Sequence, residues 1–250
     1  LLLGWRYITN IIRNQQLWGG RPGPATAAQL DDFLVWATLG VILGGRLGYV
    51  VFYKPDTLWK APLDVPAIWQ GGMSFHGGLI GVGLAIFLFS RRSGVPLFSL
   101  ADLAAAATPI GLFFGRIANF INAELYGRAS DLPWAIKFPT YDMFGQPGFT
   151  DPRHPSQLYE AVLEGIVLFI ILRVMTHRNG ALQRPGMTTG VFLLGYGFFR
   201  FMVEFVREPD QHMPEALRGY LTMGMLLCVP MILAGLWLIQ RARRAAPSPA

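Results

Sequence analysis

The sequence predicts an all-α, polytopic transmembrane helix bundle of seven spans, the first of them truncated in this chain. Three observations carry that prediction. The 250 residues are 52% hydrophobic but only 14% charged, against roughly 25% charged in an ordinary soluble domain, and the mean hydropathy is +0.38. Windows of about 20 predominantly apolar residues, the length that crosses a bilayer core, recur along the chain. Lys and Arg, finally, alternate in density between successive connections, which is a signature of membrane topology. The net charge of +6 is scattered beside apolar segments instead of lining one face, so nucleic acid is excluded as a partner.

The elements follow in order. The opening "LLLGWRY" reads as the tail of an apolar segment already under way, which makes it the truncated first span. Six windows come after it, at 31–53, 74–90, 98–116, 156–175, 187–206 and 219–240. Glycines recur inside them, as in "GVILGGRLG" and "GGLIGVGLA", and small residues let helix backbones approach closely in lipid. One set of connections carries ten Lys and Arg, from Arg13 and Arg21 to Arg241, Arg243 and Arg244; the alternate set carries six. That asymmetry places the C-terminal tail, 241–250, in the cytoplasm and the long connection 117–155 outside. With its aromatics and turn residues ("PWAIKFPTYDMFGQPG") that connection is expected to lie along the membrane interface. The whole of 1–250 then forms one membrane-embedded domain. Cys228 is the single cysteine, so a disulfide or a thiolate metal site within the chain is excluded, and a buried, inert thiol is expected.

Four polar constellations interrupt this apolar background, and ionisable groups inside spans are expensive enough to read as functional. In "GGMSFHGGLIGVG" (71–83), His76 precedes Gly77 and Gly78, where a backbone without side chains can bend and admit a ligand; a structural histidine at a helix entry is the competing account. In "GRIANFINAELYG" (115–127), Arg116 and Asn119 share a helix face, with Asn122, Glu124 and Gly127 following. An Arg fork suits a phosphate, the amides donate and accept, and Glu124 either orients Arg116 or acts on a proton. The competing account is a self-satisfying Arg–Glu pair, which leaves the asparagines without a purpose.

The third constellation, "RHPSQLYEAVLEG" (153–165), places His154 at the membrane surface. Ser156 is expected as an N-cap and Glu160 in the favourable first turn. The fourth, "GYGFFRFMVEFVREPD" (195–210), sets Tyr196, Arg200 and Glu204 at i, i+4, i+8, with Arg207 a turn further. Two Arg and a Tyr on one face amid Phe and Val suit a phosphate or carboxylate site. Arg46 in "GGRLGYVVFY" is expected to serve an inter-helix acceptor, and Trp59, Trp69 and Trp134 to sit at the membrane interface. The topology puts His76, Arg116, His154 and Arg207 toward the outer leaflet. Cations to hold a phosphate and a base to take a proton suit a reaction on an anionic phospholipid. A small transporter or flippase would use similar groups, but the chain has no internal repeat and its polar residues gather toward one side.

Through these motifs, in order and spacing, the chain resembles the bacterial prolipoprotein diacylglyceryl transferases; the pattern Gly-Arg-x-x-Asn-Phe-x-Asn-x-Glu-x-x-Gly runs complete from Gly115 to Gly127. The resemblance implies a seven-helix enzyme of the bacterial inner membrane with its site open to the outer leaflet. It implies transfer of the diacylglyceryl group from phosphatidylglycerol to the lipobox cysteine of preprolipoproteins, giving a thioether and glycerol phosphate, with no metal or organic cofactor. Carried over by motif, Arg116 and Arg200 hold the headgroup and the leaving phosphate. Asn119, Glu124 and Gly127 belong to the same essential loop, and His76 matches the histidine proposed as base for the thiol, with Glu124 the alternative. Tyr196, Glu204, Arg207 and His154 form a supporting shell, with Asn122 and Gly77 beside the substrate. The family's first helix also carries an important tyrosine, and Trp5 and Tyr7 lie too late in "LLLGWRY" to be assigned to it.

Overall fold

The computed structural model describes residues 1–141, 145–208 and 223–245, without the side chains of Phe52, Gln70, Phe75, His76 and Met223. Its helices run α1 (Leu2–Arg13), α2 (Ala27–Tyr53), α3 (Thr57–Lys60), α4 (Phe75–Ser93), α5 (Leu97–Ile121), α6 (Ser156–Glu160), α7 (Leu168–Arg178), α8 (Met187–Glu204) and α9 (Met223–Arg244). A π-helical segment, Ala161–Val167, joins α6 to α7 without a break. Each of the six apolar windows therefore holds a helix. Among the described residues three helices are long and apolar enough to cross a membrane, at Ala27–Val51, Leu97–Ile121 and Gly224–Arg244. Residues 219–222 of the last window and the tail from 246 lie outside the described residues.

Helix ends differ from the windows where capping overrides hydropathy. α2 begins at Ala27, not 31, because Thr26 accepts from the Gln29 amide while the Gln29 side chain accepts from the Thr26 amide. This reciprocal box satisfies donors that the first turn leaves orphaned. α4 begins after Ser74, whose hydroxyl accepts from Gly77 N at 3.2 Å, and stops at Gly94 in the left-handed region (φ 75°). α5 runs on to Ile121, five residues past its window.

The chain forms two compact units. One comprises Trp5–Gln16 and Gly20–Ala101. Within it α2 packs on α4 through glycines: a Cβ on Gly44 would stand 2.8 Å from Gly81 Cα, and one on Gly48 2.6 Å from Gly77 Cα. The two backbones are in direct contact, as the glycine repeats predict. Arg46 does not serve an inter-helix acceptor. Its guanidinium donates to the carbonyls of Val65 (2.8 Å), Asp64 (2.6 Å) and Gly71 (2.5 Å). The buried cation thereby fixes the connection that leads into α4.

The other unit comprises Leu1–Gly4, Leu17–Gly19 and Asp102–Ala250. Its core gathers Ala105 of α5, Leu168 and Leu172 of α7, and Phe192 and Tyr196 of α8. α9 lies against α8, with a Gly190 Cβ placed 2.9 Å from Gly235 O. Cys228 is buried there, as expected. Between α5 and α6 the chain makes an antiparallel hairpin, Pro139–Tyr141 with Pro147–Phe149, which the sequence reading did not anticipate.

The start of α8 is capped from another helix. Gly186 at its N-cap has no side chain to accept with. Asp102 of α5 accepts instead from Gly186 N (2.8 Å), Thr189 N (2.7 Å) and Thr189 Oγ1 (2.7 Å) while itself buried. Hydrogen bonds to a charged acceptor contribute about 1.5–3 kcal/mol. Asp102→Ala is therefore expected to lower the thermal unfolding midpoint in detergent; an unchanged midpoint would remove the cap's assigned role.

Candidate active site

The polar residues of the larger unit converge because of how its helices approach. Gly165, in the π-helical segment, has no Cβ; one built there would lie 2.7 Å from Phe113 Cβ. That close approach brings α5 down onto the segment one turn before Arg116. The result is a buried cluster in which one carboxylate, Glu160, takes three guanidinium groups: Arg116 Nε at 2.5 Å, Arg207 at 2.8 Å and Arg200 at 3.1 Å. Glu204 pairs with Arg200 one turn back and with Arg207 Nε at 3.2 Å. Glu160 is 1% exposed and Glu204 3%. The three arginine side chains keep 13–15% of their surface, so the cations are more accessible than the carboxylates that hold them. The start of α9 covers Glu204: a Cβ on Gly224 would lie 2.5 Å from its carboxyl carbon.

This geometry corrects two readings. Glu160 is not a first-turn residue stabilising its own helix; it is the point on which three motifs meet. Ser156 is not an N-cap, because α6 has no side-chain cap and the Ser156 hydroxyl instead donates to Leu125 O at 3.2 Å. Sequence reasoning also passed over Glu164, wholly buried one turn on, 3.8 Å from Arg116. The signal for both acids was available: two carboxylates four residues apart inside an apolar window are costly unless used. A π-segment in a helix is a further marker, since such bulges concentrate at functional sites.

Glu124 stands apart from Arg116. It accepts from Asn119 Nδ2 at 2.7 Å and Asn122 Nδ2 at 3.4 Å, in an exposed group at the C-terminal end of α5. The chain turns there through two left-handed residues that are not glycine, Ala123 (φ 55°) and Leu125 (φ 57°). Such conformations persist where surroundings hold them. Here Gln157 Nε2 donates to Glu124 O at 2.6 Å and Ser156 to Leu125 O. Gly127 follows, pairing with Arg207 in a backbone bridge and donating to His154 O at 2.9 Å. A Cβ on Gly127 would sit 2.8 Å from His154 Cβ, so only glycine fits. Arg128 Nε donates to Arg207 O at 2.7 Å. The loop after α5 is thus sewn to both the 153–157 segment and the residue that carries the third guanidinium.

The remaining predicted residues are placed as follows. Tyr196 lies in the core one turn before Arg200, stacked on Phe192. His154 contributes its backbone to the loop, and its ring meets the Tyr159 hydroxyl (Nδ1 to oxygen 3.3 Å), which also accepts from Trp134 Nε1 at 2.8 Å. Trp59 and Trp69 are exposed. His76 opens α4 in the smaller unit, and its side chain lies outside the described ones. Gly77, expected beside the substrate, is buried against the α2 backbone, with a Cβ there 2.8 Å from Gly48 Cα; helix packing accounts for that glycine. Among the described residues no group of His, Cys, Asp and Glu is arranged to hold a metal ion.

Comparison with known proteins supplies an independent line. A family model described as prolipoprotein diacylglyceryl transferase matches residues 1–241. A phosphatidylglycerol–prolipoprotein diacylglyceryl transferase from Rhizobium meliloti (strain 1021) is 54% identical over 246 residues, which covers 98% of this chain and 85% of the relative. Proteins of the same name from Phenylobacterium zucineum (strain HLK1) and Brucella ovis are 52% and 50% identical, covering 100% and 98% of this chain and 88% and 85% of theirs.

Proposed function

The chain belongs to the prolipoprotein diacylglyceryl transferase family, and from that premise we propose that its buried arginine cluster is where the phosphate of phosphatidylglycerol is held. The activity is transfer of a diacylglyceryl group from phosphatidylglycerol to a prolipoprotein. The observation that carries the site assignment is the convergence of Arg116, Arg200 and Arg207 on Glu160. Three forks with partly open surface, oriented beforehand by buried carboxylates, suit a tetrahedral anion.

The chemistry then follows. The lipobox cysteine sulfur forms a bond to the terminal glyceryl carbon of the diacylglyceryl unit. The carbon–oxygen bond to phosphate breaks and its electron pair stays on the phosphate oxygen, so the leaving glycerol phosphate gains charge. Fixed guanidiniums stabilise that charge without reorganising. A thiol has an unperturbed pKa near 8.5 and needs a base; by resemblance His76 takes the proton, with Glu124 the alternative. Asn119, Asn122, Glu124 and Gly127 shape the loop that is tied to Arg207 and His154, and Tyr196 and Glu204 support Arg200. We read α2, α4, α5, the run α6–α7, α8 and α9 as spans of the bacterial inner membrane, with α1 belonging to a seventh. The Lys and Arg asymmetry between connections supports a cytoplasmic C-terminus and a site toward the outer leaflet.

The test is direct. Full-length protein in detergent, with phosphatidylglycerol and a peptide bearing a lipobox cysteine, is expected to add one diacylglyceryl mass to that cysteine and release glycerol phosphate in equal amount. Folded protein that yields neither product, but moves lipid between leaflets of a vesicle, would replace transfer by transport.

A further inference from the structure

Glu164 is the residue of the cluster that the reaction as described leaves without a task. It is 0% exposed, and among the described residues neither of its carboxylate oxygens has a hydrogen-bond donor. Its ion-pair contact is Arg116, at 3.8 Å. Glu160 and Glu204 differ, since each lies within 3.2 Å of guanidinium nitrogens. A fully buried ionised carboxylate without donors is costly, and taking up a proton relieves that cost.

The groups facing Glu164 come from every side. Arg116 approaches from α5 and Glu160 from the preceding turn. Tyr196 and Arg200 approach from α8, with Arg207 past its end and Glu204 paired to both arginines. Cys228 of α9 lies within electrostatic range. Among the described residues the charged members number three arginines and three glutamates. With all six ionised this set is neutral overall, so a bound phosphodiester anion adds one uncompensated negative charge. With Glu164 protonated it carries one positive charge, which matches the single negative charge of that headgroup.

We propose that Glu164 exchanges its charge for that of the lipid: it holds a proton whenever a phosphate occupies the three arginines, so that binding of the anionic substrate is coupled to uptake of a proton at this residue. The inference rests on the arginine cluster being the phosphate site. Glu164 acts through Arg116 and is a positioning residue.

The coupling is read by calorimetric titration of the full-length protein with short-chain phosphatidylglycerol. Two buffers of different ionisation enthalpy count the protons taken up per lipid, across mildly acidic to mildly alkaline pH. Once the empty site's Glu164 is ionised, wild type is expected to take up one proton per lipid and to lose affinity about tenfold per pH unit. Glu164→Gln, an isostere that carries no charge, is expected to take up none and to bind with a flat pH profile. Saturable binding by wild type without proton uptake at any pH overturns the proposal, and this measurement needs no variant. Proton uptake of wild-type size in Glu164→Gln overturns it as well. Absence of saturable lipid binding by folded wild type overturns the arginine site itself, and the coupling with it.

Discussion

Glu160→Ala is expected to leave little folded protein and no measurable transfer. Glu160 is 1% exposed and is the carboxylate with which Arg116, Arg200 and Arg207 all form ion pairs. Without it Glu204 still pairs with Arg200 and Arg207, but Arg116 is left with Glu164 at 3.8 Å. Removing one partner from a buried ion network costs about 3–5 kcal/mol, because the opposite charges stay buried and uncompensated. A domain's whole stability is roughly 5–15 kcal/mol, so that loss is a large share. The damage also spreads, since Arg207 carries the backbone bridge to Gly127 and accepts from Arg128. Glu160→Gln separates the contributions. Its amide oxygen still accepts from one or two arginines, so the variant is expected to fold, but its NH2 opposes a guanidinium and the arginine forks lose their common orientation. Thermal unfolding and thioether formation measured on the same preparations check this. Glu160→Ala with a wild-type midpoint and rate would show that the three arginines are ordered by something other than Glu160.

The helices were largely legible because hydropathy decides where a chain of this kind is helical. Their ends were not, because ends are set by individual caps: Thr26 with Gln29 starts α2 early, and Gly94 stops α4. Arg116, Arg200, Glu204 and Arg207 were legible as one polar group, since cations in apolar windows have few other uses, and the structure brings them together. Their shared partner was not. Glu160 follows a Pro-Ser pair, Pro155 and Ser156, that supplies an adequate local explanation, and only the approach of α5 at Gly165 makes it the meeting point of residues 40 and more positions away. Of the two roles open to Glu124, orienting Arg116 rested on nearness in sequence, whereas the left-handed turn at Ala123 and Leu125 carries its carboxylate back to Asn119. Local spacing informs faces of a helix and fails at the residue where the helix ends.

Arg116→Ala is expected to give the converse of the Glu160 result: a protein that folds and does not catalyse. Arg116 is one of three cations on Glu160, and its side chain keeps 15% of its surface. Deleting it leaves Glu160 held by Arg200 and Arg207, and Glu164, which loses its 3.8 Å ion-pair contact, relieves the cost of its buried charge by taking up a proton, so the loss of stability is modest. The chemistry has no such reserve. Charge grows on the phosphate as the carbon–oxygen bond breaks, and the loss of one preorganised donor to a developing charge lowers the rate on the order of 10²–10³-fold. An interaction made mainly in the transition state lowers kcat and kcat/KM together, so saturating phosphatidylglycerol is not expected to rescue the variant. Arg116→Lys discriminates further. The structure uses the inner nitrogen, Nε, on Glu160 and a terminal nitrogen toward Glu164; an ammonium supplies one point of charge where a fork is required. Lysine is therefore expected to recover only a small part of the rate. Initial rates of thioether formation, with circular dichroism and thermal unfolding as controls for folding, decide between these outcomes. A folded Arg116→Ala protein turning over within a few-fold of wild type would move the phosphate away from α5 and leave Arg200 and Arg207 to hold it alone.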